Sequence, residues 1–387
     1  MGNSLRLYHT IMEFLFKSAV RLHDIRVFST LGWAMVGLLL SHHVSLNRWC
    51  QHRPGNVQAA SKVRQLARWL HNPNIAVEAI YRPLITLALQ TYTGQKMVFA
   101  LDTSQLWERF VILRLSLIYR GRAIPVVWTV LACESASVGY AMYAALLERA
   151  ADLLPDGARV LFLADRGFVH LRLFRLLRDL NWRFRIRVKQ STLVSRANGR
   201  QTKVARLMPP KGEARFVHKI WLTQAGFGPL YLALAHVQTQ DGDEQWAIVS
   251  DEPTDLHTFD EYGQRFDVEE NFLDDKSGGF QLESSLIREA QALTRLGLIL
   301  ATATLYLVST GVSVVTLGLR RLVDSHWQRG LSYFKIGWRW IEYALTNQRF
   351  LLRFSWLDPG PDPEPVSASK AQDARPSVIF YAITLLL

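Results

Sequence analysis

The sequence predicts an α/β protein in which a helical N-terminal part precedes a strand-rich core, and three observations carry that reading. Residues 1–95 place apolar side chains at helical spacing through Phe14–Arg26, Leu31–Trp49 and Ala59–Leu70, with no alternating strand. From Lys96 the pattern changes to apolar runs of strand length: MVFALDTSQL, VILRLSLIY, AIPVVWTVL and, beyond a helical stretch, ARVLFLADRGF and WRFRIRVK. Residues 191–249 then break into short alternating runs (ARFVHKIWLT, PLYLALAHV, QWAIVS) divided by Gly, Pro and Asp, as a mostly β insertion would.

Each element follows in order. Arg120-Gly121-Arg122 joins the second and third strands as a compact hairpin, helices are predicted over Gly139–Leu153 and Leu171–Leu180, and a strand lies on either side of the latter. Three hairpin-linked strands followed by helix, strand, helix, strand is the layout of an RNase H-like core. There the first and fourth strands lie side by side. Helical periodicity returns over Phe259–Phe272 and continues to Leu351. The domains expected are therefore a helical one over 1–95, a core over 96–190 and 250–350, and the insertion over 191–249. Residues 358–376, rich in Pro, Asp, Ser and Ala, read as a flexible linker. The apolar SVIFYAITLLL beyond it has no functional account in the sequence.

Charge narrows the class of partner. The chain of 387 residues carries 45 Lys and Arg against 33 Asp and Glu, a net +12, which suits a polyanion. Residues 1–95 hold ten of the basic residues and three of the acidic ones. Within Ser61–Pro73, Lys62, Arg64 and Arg68 surround a helix whose other face carries Val63, Leu66, Trp69 and Leu70. That helix is either a solvated face of a bundle or a phosphate-contacting element of a DNA-binding domain. Cys50 and Cys133 stand far apart, which argues against a disulfide framework or cysteine zinc site and for a reducing cytoplasm. The N-terminus lacks the layout of a signal peptide. Leu296–Leu319 runs 24 residues without a charge, long enough to span a bilayer, but reads as a buried core helix rather than a membrane segment.

Asp102 and Asp165 end the first and fourth predicted strands. A strand-end aspartate alone commonly caps the next helix; two on adjacent strands begin a carboxylate cluster. A third acid comes from Tyr262-Gly-Gln-Arg265-Phe-Asp-Val-Glu269-Glu-Asn-Phe-Leu-Asp-Asp-Lys276, with spacing Y-x2-R-x3-E-x6-K. On one helix these four residues would share a face. Glu269 could then ligate metal, Arg265 and Lys276 could hold flanking phosphates, and Tyr262 could hydrogen-bond a phosphate oxygen. A solvent-facing stripe of ion pairs is the plainer reading of the same spacing. His42, His43 and His52 have no acid or cysteine at ligand spacing and read as bundle histidines, and Asp275–Gly279 lacks the order of a phosphate loop.

With LDTS at Leu101–Ser104, LADRGF at Leu163–Phe168 and the Y-R-E-K segment, the sequence resembles the DDE transposases of bacterial insertion sequences, of the insertion-sequence-four type, over about residues 30–320. The resemblance implies that Asp102, Asp165 and Glu269 hold two Mg²⁺ or Mn²⁺ ions, spacing selecting Glu269 over Glu270. It implies cut-and-paste transposition on double-stranded DNA, with element terminal inverted repeats and target DNA as partners, a homodimer on DNA and a nucleoid-associated, cytoplasmic setting. Trp246, before Ser-Asp-Glu-Pro253, matches a family tryptophan that stacks on a flipped base; a strand Trp is equally a core residue. A stand-alone nuclease and a catalytically silent, transposase-derived DNA-binding protein are the rival readings.

Overall fold

The computed structural model describes residues 2–17, 24–133, 138–223, 226–239, 242–366 and 382–386. Five helices come first: α1 (Asn3–Phe16), α2 (Ile25–Ser41), α3 (Leu46–Gln51), α4 (Ala59–His71) and α5 (Val77–Leu89). Asp24 and Ser45 accept from the backbone N–H of Arg26 and Arg48, supplying caps to α2 and α3.

The strands β1 (Lys96–Leu106), β2 (Phe110–Tyr119) and β3 (Arg122–Ala132) form a meander. Its second turn is the hairpin expected from the sequence. Arg120 and Gly121 are the only residues between paired Tyr119 and Arg122, with φ of 50° and 80°. Both lie in the left-handed region that a two-residue turn of the strands' own twist requires, which is why glycine fits there. Helix α6 (Tyr140–Ala151) leads to β4 (Arg159–Ala164), and α7 (Leu171–Asp179) leads to β5 (Arg183–Arg187). β4 runs parallel to β1, with Leu101 opposite Ala164, and β5 runs parallel to β4. The sheet order through these five strands is β3-β2-β1-β4-β5, with the first and fourth strands side by side as expected.

Residues of the expected insertion form β6 (Leu193–Arg196), β7 (Gln201–Lys203), β8 (Glu213–Leu222), β9 (Phe227–Thr239) and β10 (Gly242–Ser250). They do not make a separate sheet. β10 pairs antiparallel with β5, Val249 opposite Ile186, so the described strands belong to one eleven-stranded sheet.

Helices α8 (His257–Gly263) and α9 (Phe266–Leu273), a π-helical turn (Asp274–Gly278), α10 (Ala290–Thr316) and α11 (Tyr333–Thr346) complete the core. α10 is long and apolar enough to cross a membrane, yet its whole apolar window is buried inside the fold. It lies against β3, α2, α4, α5 and α11. One apolar cluster runs without a break from Leu7 of α1 through the sheet to Leu357. The helical N-terminal residues are thus packed into the same core as the sheet, because the strongly apolar α2 and α5 bury their faces against α10, which itself lies on β3.

The C-terminal segment departs from the flexible linker predicted over 358–376. Asp358 pairs with Arg120 at 2.9 Å, Asp362 with Arg329 at 2.7 Å and Glu364 with Arg320 at 2.5 Å. All three arginines are buried, so residues 358–364 are a clamped strap. Composition alone hid this, since the acids that read as solvated are counter-ions to cations far away in sequence. Residues 367–376 lie outside the described residues. The apolar end forms β11 (Ala382–Leu386), which pairs parallel with β8.

Candidate active site

Asp102 sits on β1 and Asp165 directly follows β4, each one residue beyond the last paired positions, Leu101 and Ala164. Parallel pairing therefore brings the two aspartates to neighbouring places where β4 ends, although β1 runs on to Leu106 and does not end at Asp102 as predicted. Arg265, buried between α8 and α9, donates from Nη1 to Asp102 Oδ2 at 3.0 Å and from Nη2 to Glu269 Oε1 at 2.5 Å. Glu270 instead pairs with Arg122 of β3 at 3.3 Å, so Glu269 is the acid that shares a partner with Asp102.

Charge at the site is unbalanced. Burial pushes the Asp102 carboxyl up to about 6; Arg265 and the Thr103 N–H hold it down, while Glu269 and Asp165 push it further up. Burial disfavours the Arg265 guanidinium, but Tyr262 and the three acids more than offset this and raise its pKa. Three carboxylates around one guanidinium leave an excess of two negative charges. Such a donor set, hard oxygens without cysteine or histidine, suits Mg²⁺ or Mn²⁺ in kind. Among the described residues, no three His, Cys, Asp or Glu side chains gather closely enough to hold an ion as they stand. Arg265 takes two of the acids.

A pH dependence follows from Asp102. Its folded value of about 6 lies above the ordinary 3.8, so the native state holds this proton more tightly than the unfolded chain does. That contribution to stability is present at low pH and is lost as pH rises from about 4 to about 6. Asp102→Asn is therefore expected to gain on the wild type in Tm across that interval, with a flat difference above it. A difference constant from about pH 4 to 7 would show that the carboxyl is ionised in the folded chain throughout.

The Y-R-E-K segment is not the single helix predicted. α8 ends at Gly263, and Arg265, Asp267 and Val268 donate to carbonyls three residues back, tightening the chain between α8 and α9. Lys276 lies in the π-helical turn, where the wider winding takes it off the regular repeat, and its ammonium is 3.9 Å from Glu283. A continuous face carrying all four residues is thus replaced by a bent segment in which Arg265 and Glu269 meet and Lys276 turns elsewhere. Tyr262 is fully buried, so its ring is a core group rather than an exposed phosphate contact.

Trp246 is buried too. Its ring stands edge-on to Tyr262 at 5.0 Å and parallel to Phe266 at 5.8 Å, and its indole N–H donates to Glu244 at 3.1 Å. The core reading of this residue describes its place here; no open face is left for a base. On α4, Lys62 donates to the Arg53 and Gly55 carbonyls and so ties a loop, whereas Arg64 and Arg68 are exposed. His42 caps α2, stacks on Trp338 at 4.3 Å and pairs with Glu342, as a bundle histidine would.

Sequence reasoning missed the polar surroundings of the site. Arg166, next to Asp165, lines an open cleft of about 770 Å³ with Arg187, Lys189 and His236. Arg187 is paired with Glu244 at 2.8 Å, while Arg166 and Lys189 are exposed and have no ion pair among the described residues. Below, Arg185 of β5 and Lys96 of β1 both hold the buried Glu261 of α8, at 2.8 and 2.6 Å. Only Arg166 carried a signal in the sequence, by adjacency to a candidate acid.

No protein-family model and no curated protein matches this chain. Among solved structures, it is similar to a piggyBac transposase in a synaptic complex with hairpin DNA, determined by cryo-EM. Identity is 12%, the match covers 88% of this chain and 78% of that one, and the TM-score is 0.44.

Proposed function

We propose that the chain is a DNA transposase of the DDE type, with an RNase H-like core and Asp102, Asp165 and Glu269 as its acidic triad. The observation that carries this reading is that all three acids, remote in sequence, bear on the one buried Arg265, Asp102 and Glu269 through direct hydrogen bonds. The same acids would hold the Mg²⁺ or Mn²⁺ ions, which when bound activate a nucleophile and stabilise the leaving oxygen in phosphodiester cleavage and strand transfer. The protein's own groups bind and orient. Arg166 and Lys189 face the cleft beside Asp165, where they can take phosphates of a DNA strand, and Arg64 and Arg68 offer a second basic face on α4. Element ends and target DNA are the proposed partners, with a homodimer as the working form.

The test uses the purified protein and DNA carrying the repeats that flank its gene, with Mg²⁺ or Mn²⁺ present or chelated, and compares wild type with Glu269→Ala. Metal-dependent 3′-hydroxyl ends that vanish in the variant are expected. Binding without cleavage in either protein would overturn the enzymatic reading and leave a DNA-binding protein. Absence of binding would remove both.

A further inference from the structure

We infer that Arg265 is the resident cation of the ion-free site and competes with a divalent ion for Asp102 and Glu269, so that loading the site requires its guanidinium to let go of the acids. The inference rests on the triad reading above and concerns what controls access to it.

The geometry gives the guanidinium no neutral role. It donates in one plane to two carboxylates contributed by different elements, at 3.0 and 2.5 Å. The side chain is 6% exposed and that of Asp102 15%, so water is largely kept from that contact, whereas the contact with the half-exposed Glu269 is screened. Its other contacts are aromatic, with the charge centre 4.7 Å from the Phe266 ring and 5.9 Å from that of Tyr262. These rings attract a cation through their faces but supply no carboxylate. Glu269 is the exposed partner of the two. Its side chain is 48% exposed against 15% for Asp102, so it can leave the guanidinium without desolvation or loss of packing. Asp165 has no ion pair among the described residues, and it stands ready as the acid Arg265 does not occupy.

A cation in the plane of two acids and a cation ligated by the same acids exclude one another, by both space and charge. Two consequences distinguish competition from a merely structural arginine. Removing the guanidinium should strengthen ion binding, and the ion should then restore the stability that the arginine supplied.

The experiment titrates Mn²⁺ alone into the full chain, read by isothermal calorimetry and by the Mn²⁺ electron paramagnetic resonance signal, with Tm followed at each concentration. Arg265→Gln is expected to bind Mn²⁺ about tenfold more tightly than wild type, to melt lower without the ion and to gain more Tm from it. Arg265→Lys keeps the charge but cannot bridge both acids, so a smaller gain of roughly threefold is expected, and it serves if the glutamine variant does not fold. Asp102→Asn and Glu269→Gln should weaken binding. Equal or weaker binding by the folded arginine variants, with the acid variants still impaired, would overturn the competition while leaving the triad intact. Acid variants that bind like wild type would overturn the triad reading, and the competition with it.

Discussion

Arg114→Ala is expected to destabilise the protein by about 3–5 kcal/mol, because it leaves a carboxylate buried without its counter-ion. Arg114 lies on β2 directly opposite Asp102 and donates to Asp275 Oδ2 at 2.6 Å, with side chains 6% and 3% exposed. Its guanidinium also sits 4.0 Å from the centre of the Phe272 ring. Burial pushes the Asp275 carboxyl up, and Arg114 is the group that holds it down. Replacing both partners by apolar residues, as in Arg114→Met with Asp275→Leu, should recover most of the loss, since no charge then stays buried. Urea unfolding of the single and double variants measures this. If the single substitution costs no more than an exposed arginine would, about 0.5 kcal/mol, the pair is not buried in solution.

The second large effect lies where α10 crosses α11. A Cβ at Gly337 would stand 2.0 Å from the carbonyl oxygen of Leu307, and one at Gly311 would stand 1.9 Å from that of Tyr333. These are backbone atoms, so no rotamer change relieves the clash and the helices must part. Gly337→Ala is expected to cost about 3 kcal/mol or more by overpacking, seen as a lower Tm and denaturation midpoint. Gly263→Ala meets nothing within 4 Å, sits in α8 and should be neutral or slightly stabilising. Equal effects from the two would mean the crossing is looser than described.

What the sequence made legible was whatever depends on local pattern. The apolar runs ending at Asp102 and Asp165 marked two strands, and their adjacency followed from the order of hairpin, helix and strand. The two-residue turn at Arg120-Gly121 was visible because positive φ calls for particular residues. The break between α8 and α9 was not, because Gly263 inside an apolar repeat is tolerated in many helices. The π-helical turn was hidden for a different reason. Adjacent Asp274 and Asp275 look like a solvated pair, yet they turn inward to Arg122 and Arg114 on separate strands. Both counter-ions sit more than a hundred residues earlier. Trp246 illustrates a limit of residue type. An indole that stacks on a base and one that fills a core have the same sequence, and only burial between Tyr262 and Phe266 separates them.

The hydrogen-bonded junction of β10 with β5 constrains how this molecule can move. An insertion hung on loops could close over a bound strand like a lid. Here the three pairings Ile248–Arg187, Val249–Ile186 and Ser250–Arg185 splice it onto β5, whose other neighbour is β4, the strand that Asp165 follows. One wall of the cleft is therefore cast together with the floor of the site. Any reshaping of the site is left to the tightened joint of α8 and α9 and to exposed side chains such as Glu269. Backbone amides of β5 and β10 should accordingly be among the last to exchange with solvent, bound or free.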